Sequence, residues 1–348
     1  MKKIKIFACI LSLTTLLGSV ASAADFSDMP SDPAARAVIE NAVKNGILAG
    51  STDGTVKPDA FITRAEMASI ITRACGAQKE GDIYKFKDVP SDKWYYSAVA
   101  KAYEMGALSG SNNQMSPENN ITFQECFTIL SQVFDLLPDY ILLRSMTTPE
   151  PPANSVIVNN RVYDLSVLTT YNDKDSIADW AKVYVAGVVA NGGWSGIDNN
   201  LTPTNYITRL QFATVMDNLF KNYIDQPGKY TSLPAGNTMI RCDGVELNGL
   251  TTDDDIYIAD GVSPNGVSIE NVTVNGRLVI RGCATPIIDE NDGITFGDTG
   301  ILITGHFNKV RVIRPYINLN MVGATYRSNS LYNHKDSCIS ANIYSKID

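Results

Sequence analysis

Two arginines stand where helices are expected to begin, and they are the residues of this chain best placed for binding chemistry. Arg64 and Arg209 occupy the third position of a recurring motif, Ile62-Thr-Arg-Ala-Glu66 and Ile207-Thr-Arg-Leu-Gln211. The positive end of the helix dipole disfavours a cation at the first helical position by a few tenths of a kcal/mol. A guanidinium held there, beside free backbone N–H groups, makes sense as part of an anion-binding site. The alternative is a solvated surface arginine.

The threonine and the acid or amide of the same motif need no ligand to explain them. A threonine at the N-cap with Glu or Gln three residues later forms a capping box, in which each side chain accepts from the backbone N–H of the other residue. The motif also occurs as Ile121-Thr-Phe-Gln-Glu125, and the three helix-capping pairs are Thr63 with Glu66, Thr122 with Glu125, and Thr208 with Gln211. The motif therefore predicts three helix N-termini.

The motif ends a longer unit that recurs three times. The units begin at Phe26-Ser-Asp28, Phe86-Lys-Asp88 and Tyr171-Asn-Asp173, and they continue through the glycine pairs Gly46/Gly50, Gly106/Gly110 and Gly192/Gly196. In the second unit, apolar residues recur at steps of three and four from Trp94 to Met105, which predicts an amphipathic helix of about three turns. Gly106 then permits a turn with positive φ. Each unit is predicted to form a helix, a loop and a second helix.

The patterns divide the chain into eight segments. Residues 1–23 combine a lysine-rich start, a short apolar run and Ala21-Ser22-Ala23, which is typical of a secretory signal peptide. The other expected segments are repeat modules at 24–78, 82–138 and 171–224, a linker or insertion at 139–170 around Thr147-Thr-Pro-Glu-Pro-Pro152, a linker at 225–234, a β region at 235–325 and a tail at 326–348. No run after the signal peptide approaches the roughly 20 apolar residues of a membrane-spanning helix.

The β region is predicted from short alternating runs that Asn, Gly and Asp separate. Examples are Val245-Glu-Leu247, Ile256-Tyr-Ile258 and Val267-Ser-Ile269. Strands of this length and spacing indicate either a β-sandwich or the stacked rungs of a β-solenoid. The match between Val245-Glu-Leu-Asn and Val267-Ser-Ile-Glu-Asn favours a solenoid.

Composition excludes several classes of partner. The 29 basic and 37 acidic residues give a net charge of −8, which is unfavourable for binding nucleic acid. Five cysteines remain after the signal peptide, an odd number without metal-ligand spacing, and small core residues are the simplest interpretation. We therefore expect no metal and no cofactor.

Catalytic chemistry has little support in the residues. Histidine occurs only as His306 and His334, which weakens any histidine-based mechanism. The acids Asp253-Asp-Asp255, Asp289-Glu290 and Asp292 could supply Ca²⁺ ligands or paired catalytic acids, but solvated acids in turns are the favoured explanation. No nucleophile motif or phosphate loop occurs. We expect a protein that is not an enzyme.

The three units resemble S-layer homology domains, which anchor exported proteins to the walls of Gram-positive and related bacteria. Ile62-Thr-Arg-Ala-Glu66, with Gly54 and Pro58 before it, carries the family motif in full, and the resemblance covers about residues 25–223. It implies a pseudo-threefold helical assembly whose grooves bind a secondary cell-wall polysaccharide, commonly one with a pyruvate ketal. The β region resembles the short parallel β-helices of some clostridial surface proteins.

The resemblance also assigns polysaccharide-binding residues. The ketal carboxylate would contact Arg64 and Arg209, and the aspartates and aromatic residues would hold sugar hydroxyls; the implied set is completed by Asp28, Asp88, Asp173, Gly46, Gly106, Trp94 and Trp180. The second unit departs from the family pattern because Phe123 replaces the arginine. We therefore expect one or two working sites.

These observations together predict an α+β multidomain protein with an all-α helical region followed by a small all-β domain. The predicted function is non-covalent anchoring of an exported cell-surface protein to the wall through an anionic glycan. Two alternatives stay open: a wall-anchored carbohydrate-active enzyme, and a structural S-layer lattice protein that associates with itself.

Overall fold

The computed structural model describes most of the chain after the predicted signal peptide. The described residues are 26–138, 140–142, 153–159, 161–264, 266–283, 287–289, 293–295, 301–314, 317–327, 331–333, 338–341 and 346–347. Several sequence predictions fall outside them: the signal peptide, the proline-rich segment at 147–152, Glu290, Asp292 and His334. The layout within them is α+β, with a helical region followed by a region of parallel strands.

The described helical region contains two α-helices for each repeat. They are α1 Pro33–Lys44 and α2 Arg64–Ala74, α3 Tyr96–Glu104 and α4 Phe123–Val133, and α5 Lys182–Ala190 and α6 Arg209–Leu219. The second helix of each pair begins with a capping box, and its inner face supplies much of the core, including Ile70, Phe127 and Phe212. Among the helices that the structure describes, none has the length and apolar character of a membrane span.

The three repeats meet at a closed ring of backbone hydrogen bonds. The N–H of Ile62 donates to Ile207 O, that of Ile207 donates to Ile121 O, and that of Ile121 donates to Ile62 O, at 3.0 to 3.1 Å. All three isoleucines are fully buried. Because each lies two residues before a capping-box helix, the ring brings the N-termini of α2, α4 and α6 together.

The segment between the second and third repeats contains strands. Strands β1 Tyr140–Leu142, β2 Ser155–Val158 and β3 Arg161–Asp164 form an antiparallel sheet in the order β1-β3-β2. An extended linker or insertion was expected at 139–170, so the all-α description of this region was incomplete. Asn159 lies between β2 and β3, and its φ of +49° suits a tight turn.

The remaining strands that the structure describes form a twelve-stranded parallel sheet and a separate two-stranded antiparallel sheet. They are β4 Asn222–Ile224, β5 Gly228–Tyr230, β6 Thr238–Ile240, β7 Val245–Asn248, β8 Thr251–Thr252, β9 Ile256–Ile258, β10 Val267–Ile280, β11 Ile287–Asp289, β12 Gly293–Thr295, β13 Ile301–Val312, β14 Asn318–Arg327, β15 Leu331–Asn333, β16 Cys338–Ala341 and β17 Lys346–Ile347. All of these pairs are parallel except β11 with β12. The parallel sheet includes β4, at the end of the segment expected to belong to the third repeat module, β5, where a linker was expected, and β15 to β17, where a tail was expected.

The parallel pairing follows the sequence spacing that favoured stacked rungs. Val245 lies opposite Val267, and Ile256 lies opposite Leu278, in each case 22 residues further along the chain. Alternate residues of these strands are buried in one apolar column between the rungs. The opposite face of β6 and β9 contributes Met239 and Tyr257 to the helical core.

A seam of arginines joins the sheet to the helical region. These arginines donate to carbonyl groups at the C-terminal ends of helices. Arg241 donates to Asn45 O, just after α1, and Arg314 donates to Glu104 O, at the end of α3. Arg281 donates both to Met105 O, just after α3, and to Val133 O, at the end of α4. The N–H of Gly261 donates to Cys75 O after α2. Helix C-termini carry partial negative charge and unpaired carbonyls, so a cation is favourable there.

Arg281 is the most buried member of this seam. Its side chain is 4% exposed and lies 2.7 Å from Asp260 Oδ2. Burial by itself would lower the pKa of Arg281, but the Asp260 carboxylate outweighs burial, and the pKa lies above its usual value. The guanidinium therefore stays charged at every physiological pH.

We predict that Arg281→Ala lowers the free energy of unfolding by about 3–5 kcal/mol, because it removes the close partner of the buried Asp260 carboxylate and leaves that carboxylate with the more distant Arg314, whose Nε lies 3.9 Å away. The measurement is a urea titration of the folded chain. The control is Lys229→Ala, whose exposed pair with Glu246 contributes about 0–1 kcal/mol. An Arg281→Ala protein as stable as the Lys229→Ala protein would contradict the importance of this contact.

The buried cysteines give a second prediction. Cys75, Cys126 and Cys283 are free thiols in the core, and burial raises the pKa of each, that of Cys283 to about 12. Since the thiolate is the reactive form, these thiols should resist iodoacetamide at neutral pH, while the partly exposed Cys242 reacts first. Mass spectrometry of digests, with a sample unfolded in urea as control, measures this order. Native labelling of Cys75 as fast as Cys242 would refute it.

Candidate functional site

Arg64 reaches from its own repeat onto the loop of the next one. Its Nε donates to Met115 O at 2.8 Å, and its Nη2 donates to Ser109 O at 3.2 Å. Burial lowers the pKa of Arg64 from its usual value, and the nearby Glu125 and Asp88 oppose this. Within the part of the chain that the structure describes, no carboxylate lies within 4 Å of its guanidinium. The site therefore holds a partly buried cation whose hydrogen bonds described here go to neutral carbonyls.

This guanidinium lines a cleft of about 540 Å³, here called the Arg64 cleft. One wall is the second-repeat loop from Ala107 to Ser116, and the other is the exposed face of α4 with Glu125, Thr128 and Gln132. Trp180, which precedes α5 in the third repeat, lies at the rim with its side chain 54% exposed. The volume of the Arg64 cleft falls in the usual range for small-ligand sites.

Arg209 makes the matching contacts between the third and first repeats. Its Nε donates to Val56 O and its Nη2 to Ala49 O, both at 2.8 Å. Unlike Arg64, Arg209 also contacts a carboxylate, because its Nη1 lies 3.4 Å from Glu66 Oε1. A carboxylate of the protein therefore compensates part of the charge of Arg209.

Phe123, the corresponding residue of the second repeat, is buried in an apolar environment. It is 1% exposed and packs against Trp194 with 5.2 Å between ring centroids. Trp194 is itself buried. The third junction between repeats is therefore filled by aromatic rings instead of a cation.

The helix N-termini differ from the sequence expectation. The N–H groups of Arg64 and Ala65 donate to Asn119 O and Pro117 O of the next repeat, at 2.9 and 2.8 Å, and the N–H of Glu66 donates to Thr63 Oγ1. The expectation of free N–H groups beside the guanidinium was wrong, because neighbouring repeats satisfy them. Any anion recognition at this site depends on the arginine side chain.

The capping residues all lie within their helices' first turns. Thr63, Thr122 and Thr208 accept from the N–H three residues later, and Glu66, Glu125 and Gln211 accept from the threonine N–H in return. Glu125 also lines the Arg64 cleft, and Glu66 contacts Arg209. These two acids therefore combine a capping role with a position beside the arginines, which the motif alone did not reveal.

The three aspartates hold loops. Asp28 accepts from the N–H groups of Val56 and Lys57, Asp88 from those of Met115 and Ser116, and Asp173 from those of Leu201 and Thr202, at 2.6 to 3.0 Å. The second residue of each pair has φ near +50°. These carboxylates shape the loops that receive the arginines, and backbone amides already occupy both of their oxygens.

The remaining predicted site residues are dispersed. Gly46 and Gly106 end α1 and α3 with φ of +67° and +74°, and Gly106 lies beside Arg314 of the sheet region. Their positions explain them as helix C-termini. Trp94 is 66% exposed and contacts Tyr95 edge-on. Of the two predicted tryptophans, Trp94 and Trp180, it is Trp180 that lines the Arg64 cleft.

Comparisons with known proteins agree with this geometry. Residues 25–68, 85–125 and 170–213 match the family model of the S-layer homology domain. The chain is 31% identical over 209 residues to the surface-layer 125 kDa protein of Lysinibacillus sphaericus, a match that covers 58% of this chain and 16% of that protein. It is 25% identical over 295 residues to the surface layer protein of Brevibacillus choshinensis, covering 79% and 26%.

A match to an enzyme lies in the helical region of this chain. The chain is 27% identical over 205 residues to exoglucanase XynX of Acetivibrio thermocellus, covering 59% of this chain and 17% of that protein, and the matched part is the helical region. The chain thus spans about a sixth to a quarter of the length of these relatives. It belongs among the proteins that carry S-layer homology domains, here three of them, and it is a secreted cell-surface protein.

The structural role of the aspartates leads to a prediction. Asp173→Ala should lower the free energy of unfolding by about 1.5–3 kcal/mol, because two loop amides lose a charged acceptor. The matched control is Asp175→Ala, whose carboxylate is 91% exposed and whose loss should change stability by less than about 0.5 kcal/mol. Both variants are compared by urea unfolding and wall binding. Full stability with lost wall binding in Asp173→Ala would instead assign this carboxylate to the ligand.

Proposed function

We propose that this protein is anchored non-covalently to the cell wall through the Arg64 cleft, which binds an anionic, pyruvylated secondary cell-wall polysaccharide. The single observation that carries the proposal is the partly buried guanidinium of Arg64, which has carbonyl partners but no carboxylate within 4 Å among the described residues. A carboxylate on a sugar would complete its coordination with charge-assisted hydrogen bonds. Trp180 at the rim offers an aromatic surface to the sugar ring.

The three junctions between repeats contribute unequally to this function. The Arg64 cleft is the principal site, because Arg209 already has Glu66 at 3.4 Å and Phe123 is packed against Trp194. Arg209 forms a weaker second site, at which an incoming anion competes with the Glu66 carboxylate. This order follows from the rule that a buried charge needs compensation, which the protein supplies differently at each junction.

The proposal includes the architecture that positions these sites. The helical region is a pseudo-threefold assembly, and the ring formed by Ile62, Ile121 and Ile207 supports this view. The sheet region is a short parallel β-solenoid, and the parallel pairing of residues 22 apart supports that. We propose no catalytic role for it, and the enzyme relatives named above match the helical region.

A structural role in an S-layer lattice is the second candidate. The match to the surface layer protein of Brevibacillus choshinensis covers 79% of this chain, so it must extend from the helical region into the sheet region. A lattice protein is expected to self-associate. Sedimentation of the purified full chain in the absence of walls separates this candidate from simple display.

The anchoring proposal predicts that Arg64→Gln weakens binding to protein-free cell walls by roughly tenfold or more, since one charge-assisted contact is worth about 1.5–3 kcal/mol. Arg209→Gln should have a smaller effect. The matched control is Arg36→Gln, on the exposed face of α1. Co-sedimentation with the walls measures all three, and mild acid removal of pyruvate from the walls should abolish binding of the unmodified chain.

Two results would overturn this proposal. Wall binding by Arg64→Gln that equals the Arg36→Gln control would remove the cleft as the anchoring site. Undiminished binding to pyruvate-free walls would remove the ketal as its ligand. Circular dichroism and the melting temperature of each variant exclude unfolding as the cause of lost binding.

A further inference from the structure

Strands β6, β9 and β10, which lie side by side in the parallel sheet, separate two cores. Alternate side chains of each strand point to opposite faces. Ile240, Ile258 and Ile280 lie in the apolar column between the rungs, and Met239, Tyr257 and Val279 lie in the core of the helices. All six are at most 1% exposed. Unfolding of either region would therefore expose one face of the same three strands to water.

The sheet region also contacts the C-terminal end of each of the six described α-helices. The arginine seam and Gly261 account for α1 to α4. For the other two helices, Arg277 Nη2 donates to Asn191 Oδ1, just after α5, at 2.8 Å, and Asn237 Nδ2 donates to Leu219 O, at the end of α6, at 2.9 Å. The sheet region therefore supplies hydrogen-bond donors at the helix ends, where backbone carbonyls lack partners within the helix.

One contact brings the backbones of the two regions together without side chains. Gly76 follows α2 and Gly261 follows β9, and a Cβ atom on Gly261 would lie 2.5 Å from both Gly76 O and Arg241 O. The N–H of Gly261 donates to Cys75 O at 2.8 Å. Two regions move independently unless their interface is extensive and apolar. Here a shared apolar layer and direct backbone contact occur together, so we expect no independent motion.

The Arg64 cleft is built on helices that also reach this interface. Gln132 of α4 lines the cleft, and the next residue, Val133, accepts from Arg281 Nη1 at 2.7 Å. Arg64 is the first residue of α2, and that helix leads to Cys75, about 17 Å away at the usual helical rise. A ligand in the cleft would therefore contact the same helices whose other ends the sheet region holds.

We propose that the helical region and strands β6, β9 and β10 form one cooperative folding unit, so that a glycan bound in the Arg64 cleft stabilises the sheet region as strongly as it stabilises the helices. The second part rests on the function proposed above, and the first part does not. A ligand that binds only the folded chain opposes every unfolding event that destroys its site. Because the sheet region unfolds only together with the helices, wall binding protects both regions, and an anchored chain resists proteolysis along both.

The cooperative unit is tested by urea unfolding of the full chain, with one readout for each region. Tryptophan fluorescence reports the helical region, because all three tryptophans, Trp94, Trp180 and Trp194, lie within it. The accessibility of the Cys283 thiol to a fast thiol reagent reports the sheet region, where this side chain is 2% exposed. Both readouts should give the same midpoint.

A substitution inside the sheet region sharpens this test. Ile258→Ala removes a side chain that belongs to the column between the rungs and not to the helical core, and it should lower the midpoint of both readouts by about 1 M. The matched control is Leu302→Ala on β13, whose side chain is 44% exposed and which should shift neither readout. A lower Cys283 midpoint with an unchanged tryptophan midpoint would overturn the proposal.

The effect of wall binding is measured without urea. The probe is the acidic polysaccharide released from protein-free walls, and the readout is the labelling rate of Cys126 in α4 and of Cys283, each relative to its rate in the unfolded chain. Polysaccharide at about 100 times its Kd should slow both rates by about 100-fold. In Arg64→Gln, which binds more weakly, both effects should shrink together.

The outcomes distinguish this inference from the anchoring proposal. Slower labelling of Cys126 with unchanged labelling of Cys283 would show that the sheet region opens by itself, which overturns the inference while anchoring stands. Unchanged labelling of both thiols would contradict the anchoring proposal, and the urea midpoints would still decide whether the two regions unfold together.

Discussion

The structure depends on one constraint, the closed ring of hydrogen bonds among Ile62, Ile121 and Ile207. A repeat that paired with only one neighbour would leave a buried N–H or C=O without a partner, at a cost of roughly 1–3 kcal/mol. Closing the ring satisfies all three. It also fixes where each following residue points, because the motif arginine lies two positions after the isoleucine. Arg64 and Arg209 therefore reach the loop of the neighbouring repeat, and the binding clefts form between repeats instead of within them.

A second layer of constraint acts at the other ends of the helices. The C-terminal carbonyls of α1, α3 and α4 receive guanidinium groups from the sheet region, among them Arg241 and Arg281. The same interface contains Phe134, Phe220 and Tyr257, whose rings pack at 4.7 and 4.9 Å. Polar and apolar contacts thus coincide at one surface. One face of the sheet, with Met239 and Tyr257, belongs to the same core as the helices, and the chain passes from α6 into β4 within three residues.

The sequence predicted what is local and repeated. Capping boxes follow from Thr63 with Glu66 because both partners lie in one helical turn, and parallel rungs followed from the 22-residue match between Val245 and Val267. The sequence did not predict the hydrogen bonds that one repeat makes with the next at the helix N-termini. The N–H groups at the start of α2 looked free because their acceptor, Asn119, is 55 residues away from Arg64 and belongs to another repeat. One sequence pattern marks the arginines of the seam: each follows an isoleucine, at 240–241, 280–281 and 313–314.

The three junctions also explain why a repeated motif does not give repeated sites. All three capping boxes are intact, so the backbone at each junction is alike, and the chemistry is decided by single side chains. Where Glu66 reaches Arg209, the protein supplies its own counter-ion; where Phe123 meets Trp194, the cation is gone. Only at Arg64 do a retained guanidinium, neutral partners and an open cleft occur together in the described structure. The fold tolerates this variation because the ring and the caps, which hold the repeats together, do not involve the arginine side chain.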